Sequence, residues 1–113
     1  MIYKYKVEIV IDEVKVVKDD IYEPTEMYEF IRNMFRRFDL PEIKTDKPYH
    51  LIFTDKGRSR DMGILASNAI DLYESDWFKK YAVEFYWHSR NNDNTISKSS
   101  IFDELNDFKI KGI

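Results

Sequence analysis

The segment between Pro24 and Leu40 constrains the fold most, because its apolar residues recur at steps of three and four. That spacing places them on one face of an α-helix. The stripe consists of Met27, Phe30, Ile31, Met34, Phe35 and Phe38. Pro24 suits the first position of a helix, and Pro41 disfavours the helical conformation of Leu40 before it. The sequence therefore predicts one long amphipathic helix that buries this stripe against another element.

Two segments instead alternate apolar and polar residues, with the two-residue period of a half-buried strand. The first runs from Tyr3 to Ile11 and the second from Tyr81 to His88. Residues 49–54 predict a third strand, followed by a turn in which Gly57 can take the positive φ that such turns need. We expect residues 58–65 to form the hairpin partner of this third strand.

The remaining signals are shorter. Residues 14–17 indicate either the return strand of a hairpin or a continuation of the first strand, and residues 69–73 a short strand. Ser75 and Asp76 are expected to start one helical turn, and residues 89–95 to form a solvated loop. Ser100 with Asp103 resembles a capping box. The short C-terminal helix that follows has the apolar stripe Ile101, Phe102, Leu105 and Phe108.

The chain length allows one domain and not two, because 113 residues is close to the usual size of a single domain. No internal repeat or low-complexity linker divides it. We therefore predict one α+β domain over residues 1–113. Its expected architecture is a mostly antiparallel sheet, with one long amphipathic helix packed on one face and a short C-terminal helix.

Composition excludes several classes of function. Cysteine is absent, which excludes disulfides, thiolate catalysis and thiolate metal sites. The net charge of −3 argues against a general nucleic-acid binder, whose field should be strongly positive. No signal peptide and no membrane span is recognised, so we expect a cytoplasmic protein without membrane contact. No cofactor or metal motif is present, and none is predicted.

His50 and His88 are the only side chains with an ordinary pKa near neutrality. Each lies at the end of a strand-like run, on the face opposite the expected core residues. If both strands belong to one sheet, the two rings become neighbours, and a carboxylate would complete an acid–base or metal site. The alternative is a pair of surface histidines.

A local excess of positive charge is the more suggestive feature. Residues 44–60 contain five basic and two acidic side chains within an acidic chain. Lys56, Arg58 and Arg60 recur at every second position, so in an extended segment they share a face. That face could bind phosphates or an acidic protein patch. The alternative is a hairpin edge protected from aggregation by its charges.

Aromatic residues are also in excess, since eight tyrosines and two tryptophans are more than so small a core can hide. Tyrosine, tryptophan and arginine dominate the energetics of protein interfaces, although aromatics at strand spacing are more often core. The predicted partner-binding residues are therefore Lys56, Arg58, Arg60, Tyr49 and Tyr86.

In size and composition the chain is similar to small proteins of AT-rich phages and mobile elements, anti-CRISPR proteins among them. The leading prediction is a non-catalytic protein-binding module that acts as a stoichiometric regulator or inhibitor. Its expected partner is a protein, such as a member of a nucleic-acid-processing complex. The alternative is a nucleic-acid-binding accessory protein that uses the basic hairpin face, with Tyr49 available for stacking. A small enzyme that depends on His50 or His88 is a third class.

Overall fold

The two alternating segments lie side by side at the centre of a five-stranded antiparallel sheet. The structure is a computed structural model, which describes the backbone of residues 3–111 and the side chains of residues 3–107. The strands are β1 (Tyr5–Ile11), β2 (Glu42–Ile43), β3 (His50–Thr54), β4 (Ala82–Arg90) and β5 (Ile96–Ser100), in the spatial order β2-β3-β1-β4-β5. The helices are α1 (Glu13–Asp19), α2 (Pro24–Arg36), α3 (Asp61–Tyr73), α4 (Asp76–Tyr81) and α5 (Ile101–Lys111).

The core lies on one face of the sheet, because alternate residues of each strand point to the same side. The strands contribute Val7, Ile9, Ile11, Leu51, Phe53 and Phe85 to it. Every helix adds at least one buried residue to the same cluster, namely Val16, Ile31, Leu65, Phe78 and Ile101 for α1 to α5. All five helices therefore cover this face, and within residues 3–111 the opposite face of the sheet carries no helix.

This arrangement confirms the predicted single α+β domain with an antiparallel sheet. The long helix is only partly as expected, because α2 and α3 have the same length of 13 residues. The helix also ends earlier than predicted, at Arg36, so Phe38 lies beyond it and the buried stripe is narrower. Ile31 and Phe35 are fully buried, whereas Phe30 is 56% and Phe38 39% exposed. Among residues 3–111, no helix is long and apolar enough to cross a lipid bilayer.

Three segments differ from the prediction. Residues 14–17 belong to α1 and not to a strand, because Asp12 caps the helix by accepting a hydrogen bond from the Lys15 amide at 3.1 Å. Residues 58–65 do not form a hairpin, and residues 69–73 do not form a strand. Both lie in the loop before α3 or in α3 itself, which buries Leu65, Ala69 and Leu72 at helical spacing.

The C-terminal third contains an unexpected strand. Residues 89–95 were expected to be a loop, but β4 extends to Arg90 and β5 follows at Ile96. The predicted capping box is confirmed in part, since Ser100 Oγ accepts a hydrogen bond from the Asp103 amide at 3.3 Å. Ile101, the first residue of α5, is buried, while the side chain of the predicted stripe residue Phe108 lies outside the described residues.

Candidate functional sites

Lys56, Arg58 and Arg60 lie in the loop between β3 and α3, and the first two pair with acidic side chains of the same chain. Lys56 Nζ lies 2.7 Å from Asp39 Oδ2, and Arg58 Nε lies 2.9 Å from Asp61 Oδ1. Arg58 also donates to the carbonyls of Phe38 and Asp39, at 3.0 and 3.2 Å. The two cations therefore tie the end of α2 to the start of α3. They do not form an extended face with Arg60.

Two buried aspartates hold this loop in place by accepting hydrogen bonds from backbone amides. Asp61 is fully buried and accepts hydrogen bonds from the amides of Lys56 and Arg58, at 2.7 and 3.2 Å. These bonds and Arg58 outweigh the opposing effect of burial, so the pKa of Asp61 lies below its usual value. Asp55 accepts from the amides of Lys4 and Tyr5, both at 2.7 Å, and so anchors the loop to the start of β1. The local excess of positive charge is in large part balanced by these contacts.

The other predicted site residues are dispersed. Arg60 is exposed and directly precedes α3. Tyr49 is half-buried and packs against the core, with its carbonyl accepting the Ile11 amide at 3.0 Å. Tyr86 lies on the helix-free face of the sheet. The structure therefore does not bring the five predicted partner-binding residues together.

The two histidines do become neighbours, on either side of the central strand. Glu8 on β1 lies opposite Ile52 of β3 and Tyr86 of β4, so it lies diagonally to both His50 and His88. His50 Nε2 lies 2.6 Å from one Glu8 oxygen, and His88 Nε2 lies 2.9 Å from the other. With Glu8 ionised, each ring donates its Nε2–H to the carboxylate. The sequence predicted that a carboxylate would be needed, but did not identify Glu8.

Burial and neighbouring charges set the protonation of this cluster. Burial lowers the pKa of His88, and the positive charges of Lys6 and Lys98 add to that effect, which outweighs the hydrogen bond to Glu8. Burial acts to raise the pKa of Glu8, but the hydrogen bonds from the two imidazoles bring it below its usual value. Near neutral pH the cluster therefore holds a carboxylate and a neutral His88.

No group of three potential ligands among the described residues is arranged to hold a metal ion. The histidines direct their Nε2 atoms to the same carboxylate, which links three neighbouring strands. This arrangement is a cross-strand polar network on the helix-free face.

The same face carries a row of basic side chains. Lys6, His88 and Lys98 lie directly opposite one another on β1, β4 and β5. Two tyrosine rings accompany the row: Lys98 Nζ lies 4.1 Å from the centre of the Tyr86 ring, and Lys6 Nζ lies 5.6 Å from that of Tyr3. These contacts are of the cation–π type. We call the surface formed by Tyr3, Lys6, Tyr86, His88, Arg90 and Lys98 the basic face.

An apolar groove of about 320 Å³ lies on the helical side, between the α1–α2 connection, α2 and α4. Its aromatic residues are close, with the Trp77 ring centre 5.7 Å from that of Phe30 and 6.4 Å from that of Tyr22. Ile21, Tyr22 and Phe30 are 63%, 45% and 56% exposed. Glu23 and Glu26 also line the groove and give it an acidic border. We call this surface the aromatic groove.

Sequence reasoning assigned Phe30 to the core, and so missed the aromatic groove. The available signal was the position of Phe30 at one margin of the apolar stripe. Phe38 is exposed for a different reason, since it lies beyond the end of α2 at Arg36. No protein-family model, no curated protein and no solved structure matches the chain.

Proposed function

We propose that the protein is a non-catalytic binding module that regulates or inhibits a partner protein by docking it on the aromatic groove. The observation that carries this proposal is the exposure of three large apolar side chains, Ile21, Tyr22 and Phe30, around one concave surface. Contiguous exposed apolar surface with a polar border is typical of protein-binding sites. Aromatic anchors in such sites supply most of the binding free energy.

Two of the three aromatic residues of the groove, Phe30 and Trp77, lie on helices, and the third packs against one, which suits a docking surface. Trp77 is held at the start of α4, where its ring also packs edge-on against the buried Phe78 at 5.8 Å. Tyr22 contacts the buried Tyr81 ring at 6.1 Å. A partner therefore meets aromatic rings whose positions are already set, which lowers the entropy lost on binding.

The border of the groove indicates the chemistry of the partner. Glu23 and Glu26 lie at the N-terminal end of α2, beside the apolar side chains. On α1, Val14 and Val17 are also exposed, at 78% and 61%. The complementary partner presents an apolar side chain flanked by lysine or arginine, for example on an amphipathic helix.

Of the partner-binding residues predicted from the sequence, the three cations of the loop before α3 are not part of the aromatic groove. Lys56 and Arg58 are engaged by Asp39 and Asp61, which leaves Arg60 as the more accessible cation of the three. A partner role for these residues stays a prediction. A small His-dependent enzyme has the carboxylate it requires, but both rings direct Nε2 to Glu8, and His88 is only 8% exposed.

The test compares three baits in affinity capture from the native host, with quantitative mass spectrometry. The baits are the wild type, the double variant Tyr22→Ala/Phe30→Ala, and the control Met62→Ala. Met62 is a suitable control because it is 46% exposed but lies at the start of α3. A protein retained by the wild type and the control, and lost at least about tenfold by the double variant, supports the proposal. Equal capture by all three baits contradicts it.

A direct measurement then uses the captured protein in purified form. The variant Trp87→Phe leaves Trp77 as the only tryptophan, because the chain has two. Burial of Trp77 by the partner should shift its emission to shorter wavelength. Since each truncated side chain removes about 1.5–3 kcal/mol of apolar burial, Tyr22→Ala/Phe30→Ala should weaken binding by at least about 100-fold. An unchanged Trp77 spectrum at saturating partner would place the interface elsewhere.

A further inference from the structure

The basic face lies on the side of the sheet opposite the aromatic groove, and the docking function does not use it. Its cations come from three adjacent strands, Lys6 on β1, Arg90 on β4 and Lys98 on β5, and the neutral His88 lies between the two lysines. Neighbouring strands are about 4.8 Å apart, so these side chains form a line across the sheet. Arg90 lies next to the row and donates from Nε to the carbonyl of Tyr3 at 3.2 Å.

Negative charge is sparse in this half of the face. Glu8 is the carboxylate closest to the row, and it is hydrogen-bonded to both histidines. Glu84 lies on the same face, four residues along β4 from His88, about 13 Å away at the rise of an extended strand. Asp93 lies in the β4–β5 turn, three residues after Arg90. Lys6, Arg90 and Lys98 thus outnumber Glu8, the carboxylate that contacts the row through His88.

The tyrosine rings on this face are already paired with cations. Lys98 Nζ lies 4.1 Å from the centre of the Tyr86 ring. The Tyr3 ring has Lys6 Nζ 5.6 Å and the Arg90 guanidinium carbon 5.4 Å from its centre. A nucleotide offers both complements at once: a base can replace the cation over the ring, and the released cation can bind the adjacent phosphate. Proteins that bind single strands combine cationic surfaces and aromatic rings in this way.

We propose that the basic face binds single-stranded nucleic acid, with Lys6, Arg90 and Lys98 contacting phosphates and Tyr86 and Tyr3 stacking on bases. Single strands fit better than a duplex because an open sheet with aromatic rings contacts unstacked bases, which a duplex conceals. An acidic protein patch would satisfy the cations but would leave the tyrosine rings without a stacking partner. The site is independent of the aromatic groove.

The test titrates the full chain into fluorescein-labelled oligonucleotides of about 12 nucleotides and follows anisotropy. Single-stranded DNA, single-stranded RNA, duplex DNA and polyglutamate form separate arms. The affinity for at least one single strand should exceed that for the duplex. It should also fall with salt with a log–log slope near −2, as expected for about three phosphate contacts. Tighter binding of the duplex, or binding of polyglutamate alone, overturns the proposal.

Variants distinguish the phosphate contacts of the cations from the stacking of bases on the tyrosine rings. Lys6→Gln/Lys98→Gln should weaken binding at least about tenfold and reduce the salt slope by about 1.4. Tyr86→Ala should weaken binding at least about fivefold without changing the slope, because stacking releases no counterions. The matched control Lys18→Gln/Lys79→Gln removes two exposed cations from the helical side. Equal losses in both double variants would show nonspecific attraction and overturn the proposal.

The aromatic-groove variant keeps the two proposed sites distinguishable. Tyr22→Ala/Phe30→Ala should bind oligonucleotides like the wild type, whereas Lys6→Gln/Lys98→Gln should still capture the protein partner. Loss of oligonucleotide binding in the groove variant, with circular dichroism showing an intact fold, would contradict a separate basic face.

Discussion

Replacing Asp61 by alanine tests whether the basic loop is a structural clamp. The carboxylate is fully buried and accepts three hydrogen bonds, from the amides of Lys56 and Arg58 and from Arg58 Nε. A hydrogen bond to a charged group contributes about 1.5–3 kcal/mol. Lys56 and Arg58 keep partial access to water, which can replace some of the lost bonds. We therefore expect Asp61→Ala to lower the free energy of unfolding by about 3 kcal/mol.

Urea denaturation followed by circular dichroism measures this loss, and the slope with denaturant should not change. The same 3 kcal/mol corresponds to a fall in Tm of about 13 °C, because unfolding entropy is about 2.1 cal/mol/K per residue. Asp39→Ala is the matched control, since Asp39 pairs with the same two cations but is 72% exposed. Its effect should be only a small fraction of the Asp61→Ala effect. Equal effects of the two substitutions would refute the clamp of Lys56 and Arg58 on Asp61. Both cations would then count as surface residues available to a partner.

Two further predictions concern the core and the histidine cluster. Phe35→Ala should lower the free energy of unfolding by about 3–5 kcal/mol, because the buried ring of Phe35 stacks on Phe53 with 4.0 Å between ring centres. Urea denaturation measures this loss. A loss no greater than that of Phe38→Ala, which truncates a 39% exposed side chain, would contradict the prediction. Burial lowers the pKa of His88 in the folded chain below its usual 6.5. As the pH falls, the unfolded chain therefore binds this proton before the folded chain does. Stability should fall as the pH drops from about 6.5 through the lowered value. His88→Gln should flatten that dependence in urea denaturation at a series of pH values, and an unchanged slope would show that His88 does not cause it.

The elements that sequence patterns predicted well have one strongly buried face. The alternation of β1 places Val7, Ile9 and Ile11 in the core, and the spacing in α2 places Ile31 and Phe35 there. For such segments the hydrophobic period reflects burial directly, so it indicates both the type of element and the face that it buries.

The errors arose where tertiary contacts override local preference. Residues 14–17 are rich in valine, which favours strands, yet the Asp12 cap and the single buried residue Val16 suffice for a short helix. In α3, polar residues such as Asn68 are buried and obscure the helical period. The edge strand β5 has the sequence Ile-Ser-Lys-Ser-Ser, which contains no alternating apolar residues, and it forms by pairing with β4.

In the candidate sites, too, the sequence indicated some features, while others depend on tertiary structure. The sequence indicated that His50 and His88 could be neighbours, but Glu8 joins them only because β1 lies between β3 and β4. The partners of Lys56 and Arg58 depend on where the end of α2 meets the loop, which no local pattern encodes. The basic face likewise depends on strand order, since its members are spread from residue 3 to residue 98.

Because every helix lies on one side of the sheet, the chain separates the residues that maintain its fold from those that face outward along the same strands. A scan of all substitutions would therefore show a two-residue rhythm along β1 and β4, with Val7, Ile9 and Phe85 intolerant and Lys6 and Tyr86 permissive for folding. The outward positions other than the Glu8–His50–His88 network can be randomised together without opening the core. The helix-free side of the sheet is thus a natural platform for selecting new recognition specificities.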